Sequence, residues 1–223
     1  MDLARPISTV VPSLDGPVLL VLAAAEEGLS GRQIHKLAGS GSVAGVRLVL
    51  QRLAATGLVH GDDFGSSLLY RLNRKHLLAP IVEQLANLRG TLTTHLAAEL
   101  TSWHLPPVHA SLYGAIARAD GDLDSDVDLL LIRPDHHAAD DTLWTAQVSH
   151  LMQTVVDLTG NAAHVFELSR SELSAHLSNT PILNDWTHPN LHLTGVPLDH
   201  LEVVLGGEGG ERGVGFGLVP VGG

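Results

Sequence analysis

Leu112-Tyr113-Gly114-Ala115-Ile116-Ala117-Arg118-Ala119-Asp120-Gly121-Asp122-Leu123-Asp124-Ser125-Asp126-Val127-Asp128-Leu129-Leu130-Leu131-Ile132 runs from an apolar strand through a glycine turn into a second apolar strand headed by two carboxylates one residue apart. In an extended strand alternate side chains share a face, so Asp126 and Asp128 project together while Val127 and Leu129 face the other way. Two adjacent carboxylates repel unless a cation sits between them. Oxygen ligands at this spacing suit a hard divalent ion such as magnesium, whose natural cargo is a nucleotide phosphate. A calcium loop does not fit: counted from Asp122, the glycine expected sixth is Val127 and the glutamate expected twelfth is Arg133. Against an unliganded acidic surface turn stands the apolar run Leu129 to Ile132, which marks a buried strand with charge gathered at one end.

Working outward, the pattern is strand (Val108 to Tyr113), strand (Val127 to Ile132), helix (139–158, with Leu143, Val148, Leu151, Val155 and Leu158 inward), strand (Ala162 to Leu168), helix. Ser169-Arg170-Ser171-Glu172 is a capping box opening the last of these. The alternation predicts an α/β or α+β layout. Upstream, Ile81, Leu85, Leu88, Leu92, Leu96, Leu100 and Trp103 recur every three or four residues, predicting one long helix that ends before Pro106-Pro107. Its stripe can pack as ordinary core on either neighbour or on a second copy of the chain as a homodimer.

Further upstream, residues 13–27 read as a helix capped by Ser13, with Leu19, Leu22 and Ala23 inward; Ser30 to Ala38 is a short helix ended by glycine. A third helix starts at Ser42, with Val43, Val46, Leu50 and Leu53 at helical spacing and Gly57 as terminator. Leu58 to His60 and Ser67 to Leu72 read as strands flanking a turn-rich loop, Gly61-Asp62-Asp63-Phe64-Gly65.

The formal net charge of -11 over 223 residues argues against unspecific nucleic-acid binding as the main activity, so any DNA contact must be local. The absence of cysteine excludes disulfides, thiolate zinc sites and a cysteine nucleophile, and accords with an expected cytoplasmic location. Pro17 to Ala25 is apolar but is flanked by Asp15 and by Glu26-Glu27, so it reads as a buried helix and not as a signal peptide. No apolar run reaches the roughly 20 residues a membrane span needs, and no membrane partner is expected. The histidines, including His136-His137 and His188 with His192, show no zinc spacing and read as surface residues.

Three helices and a hairpin in this order resemble a winged helix-turn-helix, and LAATGLVHGDDFGSSLLYRLNRKH (residues 53–76) looks like the wing of bacterial regulators. Gly114, Ala115, Arg118 and Ser125-Asp126-Val127-Asp128-Leu129 resemble the signature of the nucleotidyltransferases of the DNA polymerase beta superfamily, with the likeness spanning about residues 100 to 200 and strongest to the minimal prokaryotic members. The two resemblances imply an α+β chain. Its parts are a winged helix-turn-helix domain at 1–79, a linker helix at 80–104, a nucleotidyltransferase α/β domain with a mixed sheet at 105–205, and a glycine-rich disordered tail at 206–223.

The activity implied is transfer of a nucleoside monophosphate from a nucleoside triphosphate to a hydroxyl on RNA, protein or a small molecule. Asp126 and Asp128 would hold magnesium or manganese, with Gly114, Ala115, Arg118 and Ser125 facing the nucleotide. Arg118 either neutralises a phosphate or pairs with Asp120 or Asp122. The family's turn serine is Ala115 here, a loss worth about 1.5–3 kcal/mol. The family's third carboxylate aligns with His164, an imidazole that suits manganese or zinc better than magnesium and can serve as a general base. Glu167 is the other candidate, but alternation puts it on the opposite face, toward solvent. In the winged helix, Arg47, Gln51 and Arg52 would approach a DNA groove while Arg32 and Lys36 hold the backbone. Asp62-Asp63 at the wing tip would repel phosphate, and such domains also dock proteins. These departures leave open an alternative: a DNA-binding regulator whose degenerate transferase domain senses nucleotide or dimerises.

Overall fold

The computed structural model describes residues 1–65, 67–177 and 189–201, so the expected tail and His188 lie outside the described residues. After a short 3-10 turn (Pro6–Thr9) come α1 (Asp15–Ala24), β1 (Leu29–Ser30), α2 (Gly31–Ala38), α3 (Val43–Ala55), β2 (Val59–Phe64), β3 (Ser67–Leu72), α4 (Ala79–Ala86) and α5 (Leu88–Thr101). Then follow β4 (His109–Tyr113), α6 (Gly114–Arg118), β5 (Val127–Arg133), α7 (Thr142–Thr159), β6 (Ala163–Ser169), α8 (Arg170–Leu177) and β7 (Leu191–Gly195). The chain is α+β, with an antiparallel sheet β1-β3-β2 and a mixed sheet β6-β5-β4-β7 in which only β5 and β6 run parallel.

The first core is built by Val18, Leu19 and Leu22 of α1, Ile34 of α2, Val46, Leu50 and Leu53 of α3, and Tyr70 and Leu72 of β3. Local chemistry sets these helix ends. Ser30 and Gln33 make a reciprocal capping box at α2, Gly39 closes it with φ 63°, and the Ser42 hydroxyl accepts from the Gly45 amide at α3. Three expectations change here. The first helix is shorter than 13–27, because Ser13 does not cap it: its hydroxyl donates to Asp15 Oδ2 at 2.8 Å. Val43 is exposed, since it sits on the first turn before α3 meets the core. Finally, Gly61 to Phe64 is strand and not loop, paired in register with β3 from Val59↔Leu72 to Phe64↔Ser67.

The long helix is two. It breaks at Asn87; α4 gives Ala79 and Val82 to the first core, whereas α5 gives Leu92, Leu96 and Leu100 to the second. The stripe that could have faced a second copy is therefore covered within the chain, apart from the exposed Ile81. The amino terminus also divides, with Leu3 in the second core and Ile7 in the first.

The mixed sheet is covered on both faces. Ala110, Leu112, Val127, Leu129 and Leu131 meet α5 and α7, while Leu130, Ile132 and Leu168 meet Leu173 of α8, Leu198 and Leu201. On α7 the inward residues are Trp144, Leu151 and Val155. Leu143 and Leu158 are exposed, contrary to expectation, because Asp141 caps the helix by accepting from the Leu143 and Trp144 amides and sets its phase. The box at Ser169 and Glu172 forms as expected. No helix among the described residues is long and apolar enough to cross a membrane.

Candidate active site

The site lies where β4 ends and β5 and β6 begin. Register puts Asp128 opposite Tyr113 on one side and His164 on the other. Strand alternation therefore carries Asp126, Asp128 and His164 to one face of the sheet edge. Gly114 turns the chain with φ 68°, and a Cβ there would fall 2.4 Å from Asp128 Oδ2, so both the backbone sign and the close approach require glycine. Gly114 opens the five-residue α6, which is closed by Ala119 with φ 59°, the one non-glycine residue among those described with a left-handed backbone.

The loop back to β5 is held by its own polar groups. Ser125 Oγ donates to Asp122 Oδ1 at 2.9 Å and accepts from the Asp122 amide at 2.9 Å, and the Asp124 amide donates to Asp122 Oδ1 at 3.1 Å. These hydrogen bonds, led by that of Ser125, hold the Asp122 carboxyl below its ordinary range. The Ser125 hydroxyl expected to face the nucleotide thus points into its own loop. Ala115 lies beside Gly121 and lines a cavity of about 10 Å³ with Met1, Leu3, Ser125, Asp126 and Asn161.

His164 Nε2 lies 3.2 Å from Asp126 Oδ2, with both side chains largely exposed. Burial, and secondarily the Asp126 charge, push the Asp128 carboxyl above its ordinary value, while His164 and Arg118 oppose the shift. Tyr113 rises in turn, through burial and the Asp128 charge. Arg118 pairs with Asp120 at 2.9 Å, the second of its two expected roles, yet remains close enough to act on Asp128. Glu167 is not the solvent-facing residue expected. It accepts from Arg133 Nε at 2.8 Å, where Arg133, only 6% exposed, needs a counter-ion.

Among the described residues no three His, Asp or Glu side chains form a ready-made ion cage. The donors nevertheless fit a divalent ion held at an open edge. Asp128 carries a charge penalty that a cation would relieve, Asp126 stands on the same face, and His164 supplies one imidazole nitrogen beside two carboxylates. That set suits manganese directly, and magnesium through the carboxylates alone.

On the first unit, Arg32, Arg47 and Gln51 line a groove of about 690 Å³ with Val43, Leu68 and Tyr70, and Lys36 is exposed on the same helix as Arg32. Among the described residues Arg32, Lys36 and Arg47 have no carboxylate at ion-pair distance, whereas Arg52 is paired with Asp15. Asp62 on β2 pairs with Arg71 at 3.0 Å, which screens half of the Asp62-Asp63 pair expected to repel phosphate. Sequence reading missed a second groove, about 590 Å³, lined by His60, Arg71, Asn73, Arg74 and Lys75. It also missed Asn161, a buried amide that no spacing marks. No family model, curated protein or solved structure matches this chain.

Proposed function

We propose that this chain is a divalent-metal-dependent nucleotidyltransferase with a winged helix-turn-helix domain at its amino terminus, moving a nucleoside monophosphate from a nucleoside triphosphate onto a hydroxyl acceptor. The observation that carries the reading is the convergence of Asp126, Asp128 and His164 on one face at the start of the parallel strands β5 and β6, opposite a glycine whose missing side chain leaves room against Asp128. Phosphoryl transfer asks a protein for positioning and charge neutralisation more than for covalent chemistry. A bound divalent ion supplies positive charge at the phosphates. Asp126 and Asp128 would hold it, Gly114 lets backbone approach the triphosphate, and Arg118 can exchange Asp120 for a phosphate because that pair is solvent-exposed and weak. His164, whose Nε2 faces Asp126, would accept the proton of an incoming hydroxyl at its other ring nitrogen, Nδ1.

Incubation with labelled triphosphates and magnesium or manganese tests this. Label transfer should vanish in Asp126→Ala/Asp128→Ala, and wild-type protein that transfers nothing with any triphosphate and binds neither metal nor nucleotide refutes it.

A second reading has its own support. Residues 1–86 hold eight of the thirteen Lys and Arg but seven of the 24 Asp and Glu, and of the four cations without a carboxylate at ion-pair distance among the described residues three, Arg32, Lys36 and Arg47, lie on α2 and α3. That favours DNA as a partner of the first unit. If duplex binding occurs with no transfer, and Arg32→Glu/Arg47→Glu abolishes it, the chain is a regulator whose second unit senses nucleotide.

A further inference from the structure

We propose that Asn161 is a positioning residue for Asp126, fixing the approach to β5 in the shape that the carboxylate pair requires; this rests on the metal-site reading above. Asn161 follows Gly160, whose left-handed backbone (φ 73°) ends α7, and it is only 6% exposed. Its Nδ2 donates to the Ser125 carbonyl at 2.7 Å and to the Met1 carbonyl at 3.2 Å, its Oδ1 accepts from the Met1 nitrogen, and its own amide donates to Thr159 Oγ1 at 3.0 Å. Ser125 is the residue before Asp126. Val127, the residue after, donates its amide to the Ala162 carbonyl at 2.9 Å.

The peptide groups on both sides of Asp126 are thus bonded to the connection between α7 and β6, two residues before His164 reaches Asp126 itself. Of the side chains that fit this space, a short primary amide offers two donors and an acceptor together, and all three are engaged. Without Nδ2 the Ser125 carbonyl becomes a covered acceptor with no partner, and the loop gains the freedom to turn it toward water, carrying Asp126 with it. The Ser125 hydroxyl cannot compensate, because it is bound to Asp122. Asn161 acts on Asp126 through the backbone alone.

The test uses the full chain, with Mn²⁺ alone as probe. Asn161→Leu keeps the γ-branched outline and removes the side-chain donors and acceptor; Asn161→Ala stands in should the bulkier leucine variant fail to fold. Electron paramagnetic resonance titration should show a Mn²⁺ dissociation constant raised about three- to tenfold. In the metal-free protein, the Val127 amide should exchange faster with solvent. Gly39→Ala, destabilised in the other unit, should leave both readouts unchanged. If Asn161→Leu lowers the melting temperature but keeps wild-type Mn²⁺ affinity, the residue is merely structural and the inference falls while the metal site stands. Wild-type protein that binds no Mn²⁺ overturns the metal-site reading and this inference together.

Discussion

Replacing Gly114 by alanine should damage the site far more than the fold. Two costs separate cleanly. The backbone holds φ 68°, and a residue with a Cβ in the left-handed region pays about 1–2 kcal/mol, which for a chain of this size lowers Tm by roughly 2–8 °C. The added methyl would also lie 2.4 Å from Asp128 Oδ2, where ordinary contact begins at 3.4 Å, so the carboxylate oxygen must retreat by about 1 Å. That end of a side chain moves readily, so stability hardly registers the clash. A misplacement of about 1 Å at a reacting centre, however, costs on the order of a hundredfold in rate. Gly39→Ala is the matched control, with φ 63° and nothing within 4 Å of the added carbon. Scanning calorimetry should find similar Tm losses for both variants, whereas Mn²⁺ titration and nucleotide transfer should fail in Gly114→Ala only. Equal Mn²⁺ affinity in the two variants would refute the argument that Asp128 must lie against this turn to bind metal.

Asp128→Asn should raise the Tm of the metal-free protein near pH 7 and abolish any rise on adding Mn²⁺. Asp128's folded pKa lies above its unfolded value, so the native state binds more protons and loses stability as pH climbs through the carboxylate range, a slope the amide removes. His109 works in the opposite sense. It is fully buried between the Val196 carbonyl and the Ser111 hydroxyl, and burial lowers its pKa from 6.5 to about 4. Its contribution, about 3 kcal/mol, is complete above pH 6.5 and lost as pH falls toward 4, so urea midpoints for His109→Asn should vary less across that window; an unchanged slope would exclude the assignment. Arg133→Met should cost about 2–3 kcal/mol in urea unfolding by stranding Glu167, and Arg133→Met/Glu167→Leu should recover most of it. No recovery would mean that the guanidinium matters for its bond to the His137 carbonyl instead.

What the sequence revealed and what it hid follow from the range of each interaction. Alternation over Asp126 to Ile132 is a property of the backbone, so it places the two acids on one face before any partner strand is known. Helix ends were legible where capping is local, as at Ser42, Gly39 and Ser169. Periodicity ran straight through Asn87, because apolar spacing reports which residues seek cover and not which body covers them; Leu85 and Leu92 keep helical phase while serving different cores. Glu167 was misjudged because its cation lies 34 residues away on a neighbouring strand. Val43 lies on the first turn of α3, ahead of its core residues, whereas Leu143 and Leu158 adjoin the buried Trp144 and Thr159, so at α7 it was the phase of the helix that apolar spacing misjudged. Asn161 was invisible for the strongest version of this reason, since its contact with Met1 spans 160 positions.

Because the chain passes between its two cores twice, once between Leu3 and Ile7 and again at Asn87, the halves are joined by two pins instead of one. A body held at two points retains one easy freedom, rotation about the line through them, and loses twist and separation. A shift of the α2–α3 face relative to the Asp126–Asp128 edge then favours a swing about that axis, and cutting either connection would remove one of its two anchor points.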